Sequence, residues 1–406
     1  MDNITHSLLG AALAYAGLNR GLSPAPFAPA RGASAQPETL PVSSCRSAIT
    51  LVSVVAANVI DIDIITTPAR LIYLEHHRGY THTFWGILML ALLLPLPFLK
   101  WSRSLRRAPV PWGKKYWYLA FVSLIGTAGH LFLDYTNSYG VRPARPFSQR
   151  WIYGDFIAVV DPWIYLILGT AMFWVHSRGL RRSLFWAIGV GLISLLVLWF
   201  GRGAPVDPLR VVRVTWFAWI PIAWVLRRRL HPRLAALSQR IAIGSLVLLS
   251  AYYIFCWQLH RRALQHLRAD VGQRFWHESA PPRLSAVAVA GNPFLWTFYL
   301  DTQQFYYSGQ FDVFDNRVPS VHIVSKNLKG LPFEKLLQTC SGKVMMRFAR
   351  YPFVDWKERS DGWVVSIKDL RFSIPRSGFG TALVYFDKEW KEREETRPLC
   401  PWSEAF

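Results

Sequence analysis

The chain has 406 residues, 52% hydrophobic and 17% charged, with 19 Trp, 16 Tyr and 25 Phe, which is more apolar and more aromatic than a soluble domain needs. A net charge of +21 would point to nucleic acid if the basic residues formed a patch on a soluble fold. They fall instead in short runs between apolar segments, the distribution of cytoplasmic loops in a membrane protein, so no nucleic-acid partner is expected. Four cysteines without a CxxC or His–Cys pairing exclude a thiolate zinc finger.

The opening MDNITHS lacks the basic region of a cleaved signal peptide, and the first apolar segment is expected to remain. Two weaker segments, near 4–18 and 47–60, fall near the length at which re-entrant helices compete with spans, and the Pro-, Ala-, Gly- and Ser-rich stretch 19–46 reads as a loop. Six longer apolar stretches follow at 83–99, 116–135, 156–175, 183–200, 211–226 and 241–258. Each approaches the 20 or so residues that a helix needs to cross the hydrocarbon. The expected fold is an α-helical multi-pass membrane protein with six to eight membrane segments in residues 1–258. Residues 259–281 read as a polar helical linker. From there to residue 406 short alternating runs (LSAVAVA, FLWTFYL, QFYYSGQFDVF, WVVSI, RFSI, ALVYF) predict a small β-rich C-terminal extramembrane domain.

Orientation follows from the basic residues. The 100–115 loop carries Lys100, Arg103, Arg106, Arg107, Lys114 and Lys115 without an acid, and the 176–182 and 227–240 loops are also Arg-rich. These loops are expected inside and the mixed alternate loops outside, which puts the C-terminal domain on the extracytoplasmic side of a bacterial inner membrane. In that compartment Cys340 and Cys400 form a candidate disulfide.

Under this topology the chemistry-bearing residues collect at one face: His6 in the first segment, Asp61 and Asp63 closing the second, His76, His77 and His82 in EHHRGYTHT, and His130 with Asp134 in GTAGHLFLDYTNSYG. His130 and Asp134 are four apart and share a helix face with Thr127 and Asn137. Ionisable residues on a membrane helix mark function by default. Arg78 is available to hold an anionic oxygen bidentately. Several imidazoles and carboxylates without a thiolate suit one or two divalent ions, with Zn first and Mn or Fe as alternatives. No GxSxG elbow or P-loop offers a competing chemistry.

An N-terminal THS, a DID pair after an apolar segment, HRGYTH, then GHLFLD with Pro-Phe following, resemble the YdjM-type membrane-bound metal-dependent hydrolases over about residues 1–175. Thr83 stands where many members have Ser. The resemblance implies His6, Asp61, His77, His82, His130 and Asp134 as metal ligands. It also implies hydrolase activity, and one member of that family is described as binding the LexA repressor. On this reading the ion activates water, Asp63 or Asp161 acts as general base, and Arg78 binds a substrate phosphate. The expected substrate is an ester or phosphoester, lipid-linked and reached from the bilayer. Two other classes stay open: a transporter with His130 and Asp134 as a proton or ion relay, and a structural or regulatory membrane protein in which the ion locks the fold.

Overall fold

A computed structural model describes residues 1–22, 42–67, 69–177, 179–199, 210–274, 282–315, 321–372 and 378–393. The chain forms two compact units. One comprises Met1–Ile60, Tyr80–Arg262 and Val287–Trp296; the other comprises Asp61–Gly79, Ala263–Ala286 and Thr297–Phe406.

The first unit is helical. Among the described residues, four helical stretches are long and apolar enough to cross a membrane: Phe84–Trp101, Trp112–Tyr135, Leu180–Trp199 and Ser238–Asp270. The broken pair Ser44–Ala56 and Val59–Thr66 makes a fifth if counted as one span. This is fewer than the six to eight segments expected, for local reasons. The first helix, Asn3–Ala16, has 14 residues, about 21 Å at 1.5 Å per residue and short of the hydrocarbon thickness. The 156–175 stretch yields Pro162–His176, which is shorter than a span and contains a π turn at Tyr165–Gly169. The 211–226 stretch lies in a helix, Arg210–Arg229, that carries Arg210 and Arg213 at its start and Pro221 in its interior. The expected span 241–258 and the start of the polar linker are one continuous helix, Ser238–Arg274.

Helix packing in this unit depends on small residues, as in other membrane bundles. At Gly10 a Cβ would lie 2.8 Å from the Ser53 carbonyl oxygen and 2.9 Å from Val54 Cα, so only glycine lets the Asn3–Ala16 and Val42–Ala56 helices approach this closely. The contact is then tied by Ser53 Oγ donating to the Gly10 carbonyl at 2.8 Å and by Asn58 Nδ2 donating to Ser7 Oγ at 3.1 Å.

The C-terminal part contains two sheets. One has strands β1 (Arg283–Val289), β2 (Asn292–Asp301), β3 (Phe305–Asp312) and β4 (Val321–Ser325) in the order β1-β2-β3-β4. The other has β5 (Pro352–Arg359), β6 (Gly362–Asp369) and β7 (Thr381–Phe386) in the order β5-β6-β7, all antiparallel. Two helices, Leu331–Gln338 and Cys340–Phe348, separate the sheets. The alternating runs identified five of these strands. The RFSI run is not a strand where it is described: Leu370–Phe372 is a 3-10 turn. Its cause is local, because the buried Asp369 carboxylate accepts from Arg371 N at 3.0 Å and pairs with the Arg371 guanidinium at 2.6 Å, which folds the chain back. Cys340 is disulfide-bonded; Cys400 lies outside the described residues.

The segment Asp61–Gly79 sits between apolar stretches in sequence but belongs to the second unit. Glu75 on its helix Arg70–His76 pairs with Arg347 at 3.0 Å, and Tyr73 packs edge-on against Phe379 with ring centroids 6.4 Å apart.

Candidate metal centre

In the first unit three elements converge on one carboxylate. Asp2 caps the first helix, accepting from Ile4 N and Thr5 N at 3.0 Å, and this fixes the turn that carries His6 inward. His130 and Asp134 lie on Trp112–Tyr135, one turn apart on the same face. His82 ends the 3-10 turn Tyr80–His82, immediately before the helix Phe84–Leu93. Thr83 caps that helix by accepting from Gly86 N at 2.9 Å while its hydroxyl donates to the Tyr80 carbonyl at 2.8 Å. A Cβ at Gly86 would come within 2.1 Å of that carbonyl, so glycine is what allows the tight entry that aims His82.

His6 Nε2 lies 3.6 Å from Asp134 Oδ1, and the Nε2 atoms of His82 and His130 lie 3.3 and 3.4 Å from Asp134 Oδ2. The three histidines have no measurable exposure and Asp134 has 1%. The His6 and His130 rings are stacked, with centroids 3.6 Å apart and planes inclined by 9°. The Met1 amino group also donates to Asp134 Oδ1.

The donor set is one that could hold a cation. His130 Nδ1 faces the Ala57 carbonyl oxygen at 2.7 Å, and a carbonyl only accepts, so Nδ1 carries the proton. In the neutral ring Nε2 then presents a lone pair to a carboxylate oxygen at 3.4 Å, acceptor against acceptor. Both ring nitrogens of His6 are buried without a hydrogen-bond partner among the described residues. One ligand atom each from His82, His130 and Asp134 falls within 4.8 Å of the others, so a cation could take these lone pairs together. The spacing agrees: with ligand bonds of about 2.0–2.1 Å, the edge of a tetrahedron is about 3.4 Å. The Nδ1–carbonyl bond of His130 is also the outer contact that metal-binding histidines ordinarily make.

A second cluster lies within the other unit. One ligand atom from each of Asp61, Asp63 and His77 falls within 4.8 Å of the others. His77 Nδ1 is 3.1 Å from Asp63 Oδ1, Arg78 N donates to Asp63 Oδ2 at 3.1 Å, and the Tyr73 ring stacks on His77 at 4.4 Å. Arg78 is buried and has φ of 58°, a left-handed conformation that a non-glycine residue adopts only when its surroundings hold it there. His76, next in sequence to His77, is half-buried.

Asp161 is placed differently. It is buried, caps the Pro162–Ile164 turn by accepting from Trp163 N at 3.0 Å, and accepts from the Tyr252 hydroxyl at 2.8 Å, so both oxygens are engaged. Of the remaining histidines, His176 bonds the Tyr15 hydroxyl at 2.7 Å, His260 packs on Trp296, His266 on Phe311, and His322 sits on β4. His277 lies outside the described residues.

Two cationic residues in the loop that follows the His130–Asp134 helix were not singled out from the sequence. Arg142, buried, lies over the Trp151 ring at 4.4 Å, and Arg145 over the Tyr80 ring at 4.7 Å. The signal was present as VRPARPF directly after the His130–Asp134 helix, but arginines in a loop carry little weight without knowledge of what they stack on.

A large apolar cavity of about 870 Å³ adjoins the same first helix. Ile4, Ser7 and Leu8 line it together with Phe173, Trp216 and Trp219. Residues 4, 7 and 8 lie on one face at helical spacing, so a single helix carries His6 and lines the cavity.

The apolar helices and the buried His/Asp cluster define a helical membrane protein with side chains that could hold a metal ion. The description "YdjM inner membrane protein" matches residues 1–204, half of the chain, and the chain belongs to that family. It is also similar to the uncharacterized protein YfhP of Bacillus subtilis (strain 168), with 25% identity over 121 residues, 29% of this chain. That match spans about a third (34%) of the length of the relative. No solved structure matches.

Proposed function

We propose that the protein is a membrane-bound metal-dependent hydrolase acting on an ester or phosphoester with an apolar chain. The observation that carries this reading is the convergence of three imidazole Nε2 atoms at 3.3–3.6 Å from one buried carboxylate. His6, His82, His130 and Asp134 hold one ion. Asp61 and His77, with Asp63 orienting His77 as carboxylates commonly orient metal-binding histidines, hold a second. Zn suits the all-N/O donor set, with Mn or Fe as alternatives. Such an ion supplies Lewis acidity, bringing coordinated water toward ionisation near neutral pH and offsetting charge on an ester or phosphoryl oxygen.

The chain's own residues supply positioning and proton handling. Asp63, which shares a cluster with Asp61 and His77, is the carboxylate assigned to proton transfer in preference to Asp161, which caps the Pro162–Ile164 turn and accepts from Tyr252. Arg78, pinned through its backbone by Asp63, is assigned to an anionic oxygen. The apolar cavity against the His6 helix supports a substrate drawn from the bilayer. The C-terminal domain is assigned to the extracytoplasmic side of the bacterial inner membrane by the distribution of basic loops.

The same histidines would serve a proton relay if protons rather than an ion met their lone pairs. Metal analysis of detergent-purified protein, beside hydrolysis assays on phosphodiester and phospholipid substrates, separates the two. Stoichiometric metal together with metal-dependent hydrolysis is the expected result, and a metal-free protein with the cluster intact would overturn the proposal.

A further inference from the structure

We propose that Arg145, stacked on Tyr80, is an oxyanion-binding residue that receives a substrate phosphate beside the His82 turn. This rests on the hydrolase reading and narrows its substrate class to phosphoesters.

Arg145 is half-buried, and its Nε and Nη1 atoms are buried with no hydrogen-bond partner among the described residues. A guanidinium stays protonated, and its buried N–H groups are costly to leave unmet. An anion that comes and goes resolves that cost. The Tyr80 ring at 4.7 Å supports the guanidinium, holding its plane while leaving the N–H donors to a ligand.

The location suits a substrate of the metal centre. Tyr80 and His82 occupy one 3-10 turn, so they are offset by about 4 Å along it at roughly 2 Å per residue. The arginine loop is stitched to the residue pair after His82 by Phe84 N donating to the Pro143 carbonyl at 3.0 Å. Its ends are closed by paired backbone hydrogen bonds of 2.9 Å between Val141 and Ile152. Residues 141–152 contain Arg142, Arg145 and Arg150 and no acid, so the loop itself supplies only positive charge. A phosphate has oxygens enough to meet both a guanidinium and a neighbouring ion. The phosphate of a lipid headgroup and that of a soluble phosphoester share this chemistry.

The test uses the full-length protein in detergent, with binding of inorganic phosphate followed by isothermal titration and metal content measured on the same samples. R145Q is expected to weaken phosphate binding at least tenfold and R145K several-fold, with metal content unchanged. R150Q, an exposed residue of the same loop, should match the parent. Y80L, which removes the ring beneath the guanidinium, should weaken binding a few-fold and carries the test if R145Q does not fold. Competition by phosphatidylglycerol in mixed micelles, but not by neutral diacylglycerol, assigns the phosphate to a lipid headgroup. Competition by glycerol phosphate alone assigns it to a soluble ester. Phosphate binding unchanged in R145Q and Y80L, or weakened equally in R150Q, overturns the proposal. A metal-free parent that still binds phosphate through Arg145 would defeat the hydrolase reading and leave this one standing.

Discussion

The imidazole rings of His6 and His130 lie face to face, centroids 3.6 Å apart and planes inclined by 9°, although one residue is in the first helix, Asn3–Ala16, and the other near the end of Trp112–Tyr135. Two like-polarised rings stacked in a buried site gain little from each other. Their common direction toward Asp134, with Nε2 atoms 3.6 and 3.4 Å from its oxygens, is what gives the pair a purpose.

Removing one of these rings should therefore remove the ion. H130A and H82A are expected to lower bound metal by at least tenfold and to abolish any hydrolysis, because each deletes a ligand outright where loss of an outer contact alone typically costs 10–100-fold. Membrane insertion should be unaffected, since it depends on apolar length. Elemental analysis of membrane-extracted variants checks both, and full metal retention in both variants would mark the cluster as incidental.

The second cluster should be separable from the first. D63N keeps the size of the side chain but weakens its bonds to His77 Nδ1 and Arg78 N. Metal stoichiometry is expected to fall from two to one in D63N and to fall by the other ion in H130A. A stoichiometry that does not respond to D63N would confine metal binding to the His6, His82, His130 and Asp134 set.

Gly10 should be intolerant of any side chain. A Cβ there meets the Ser53 carbonyl oxygen at 2.8 Å, so G10V must push the two helices apart and carry His6 with them. Overpacking of this kind costs about 1–3 kcal/mol. Thermal unfolding in detergent should show the loss, together with weaker metal binding; an unshifted transition would show that the helices can part freely.

In the C-terminal unit, Asp369 and Arg371 form a buried pair at 2.6 Å, with side-chain exposures of 0% and 2%. Breaking one side leaves an uncompensated buried charge, so R371M should destabilise this unit by about 3–5 kcal/mol. Limited proteolysis of R371M should begin in the β domain while the metal bound by the His130 cluster stays in place. Cleavage no faster than in the parent would contradict this.

Cys340 reports on sidedness. With Cys45 and Cys256 replaced by serine, an impermeant thiol reagent should label intact cells only after reduction, since Cys340 is disulfide-bonded and disulfides persist outside the cytoplasm. Labelling that required opened cells would place the domain inside.

Sequence alone was enough for whatever local spacing controls. His130 and Asp134 share a helix face because they are four apart on an apolar helix, and five strands were legible because their side chains alternate with period two. The same local logic counted six to eight membrane segments where four or five stand among the described residues, and apolar content near Pro162–His176 could not reveal the π turn at Tyr165–Gly169. It also read RFSI as a strand, where Leu370–Phe372 is instead a turn held by Asp369 and Arg371, two residues apart. Tertiary structure decided the rest. Which imidazole nitrogen faces Asp134 depends on the Ala57 carbonyl taking the other one. The arrival of His6 depends on the close approach of helices at Gly10. Membership of Asp61–Gly79 in the C-terminal unit follows from contacts such as Glu75 with Arg347, and Arg145 stands out only once it is seen stacked on Tyr80. The physical reason is range: helical and strand periodicity are set by neighbours a few residues away, whereas the directions of these side chains are set by partners distant in sequence, brought near only when the chain packs.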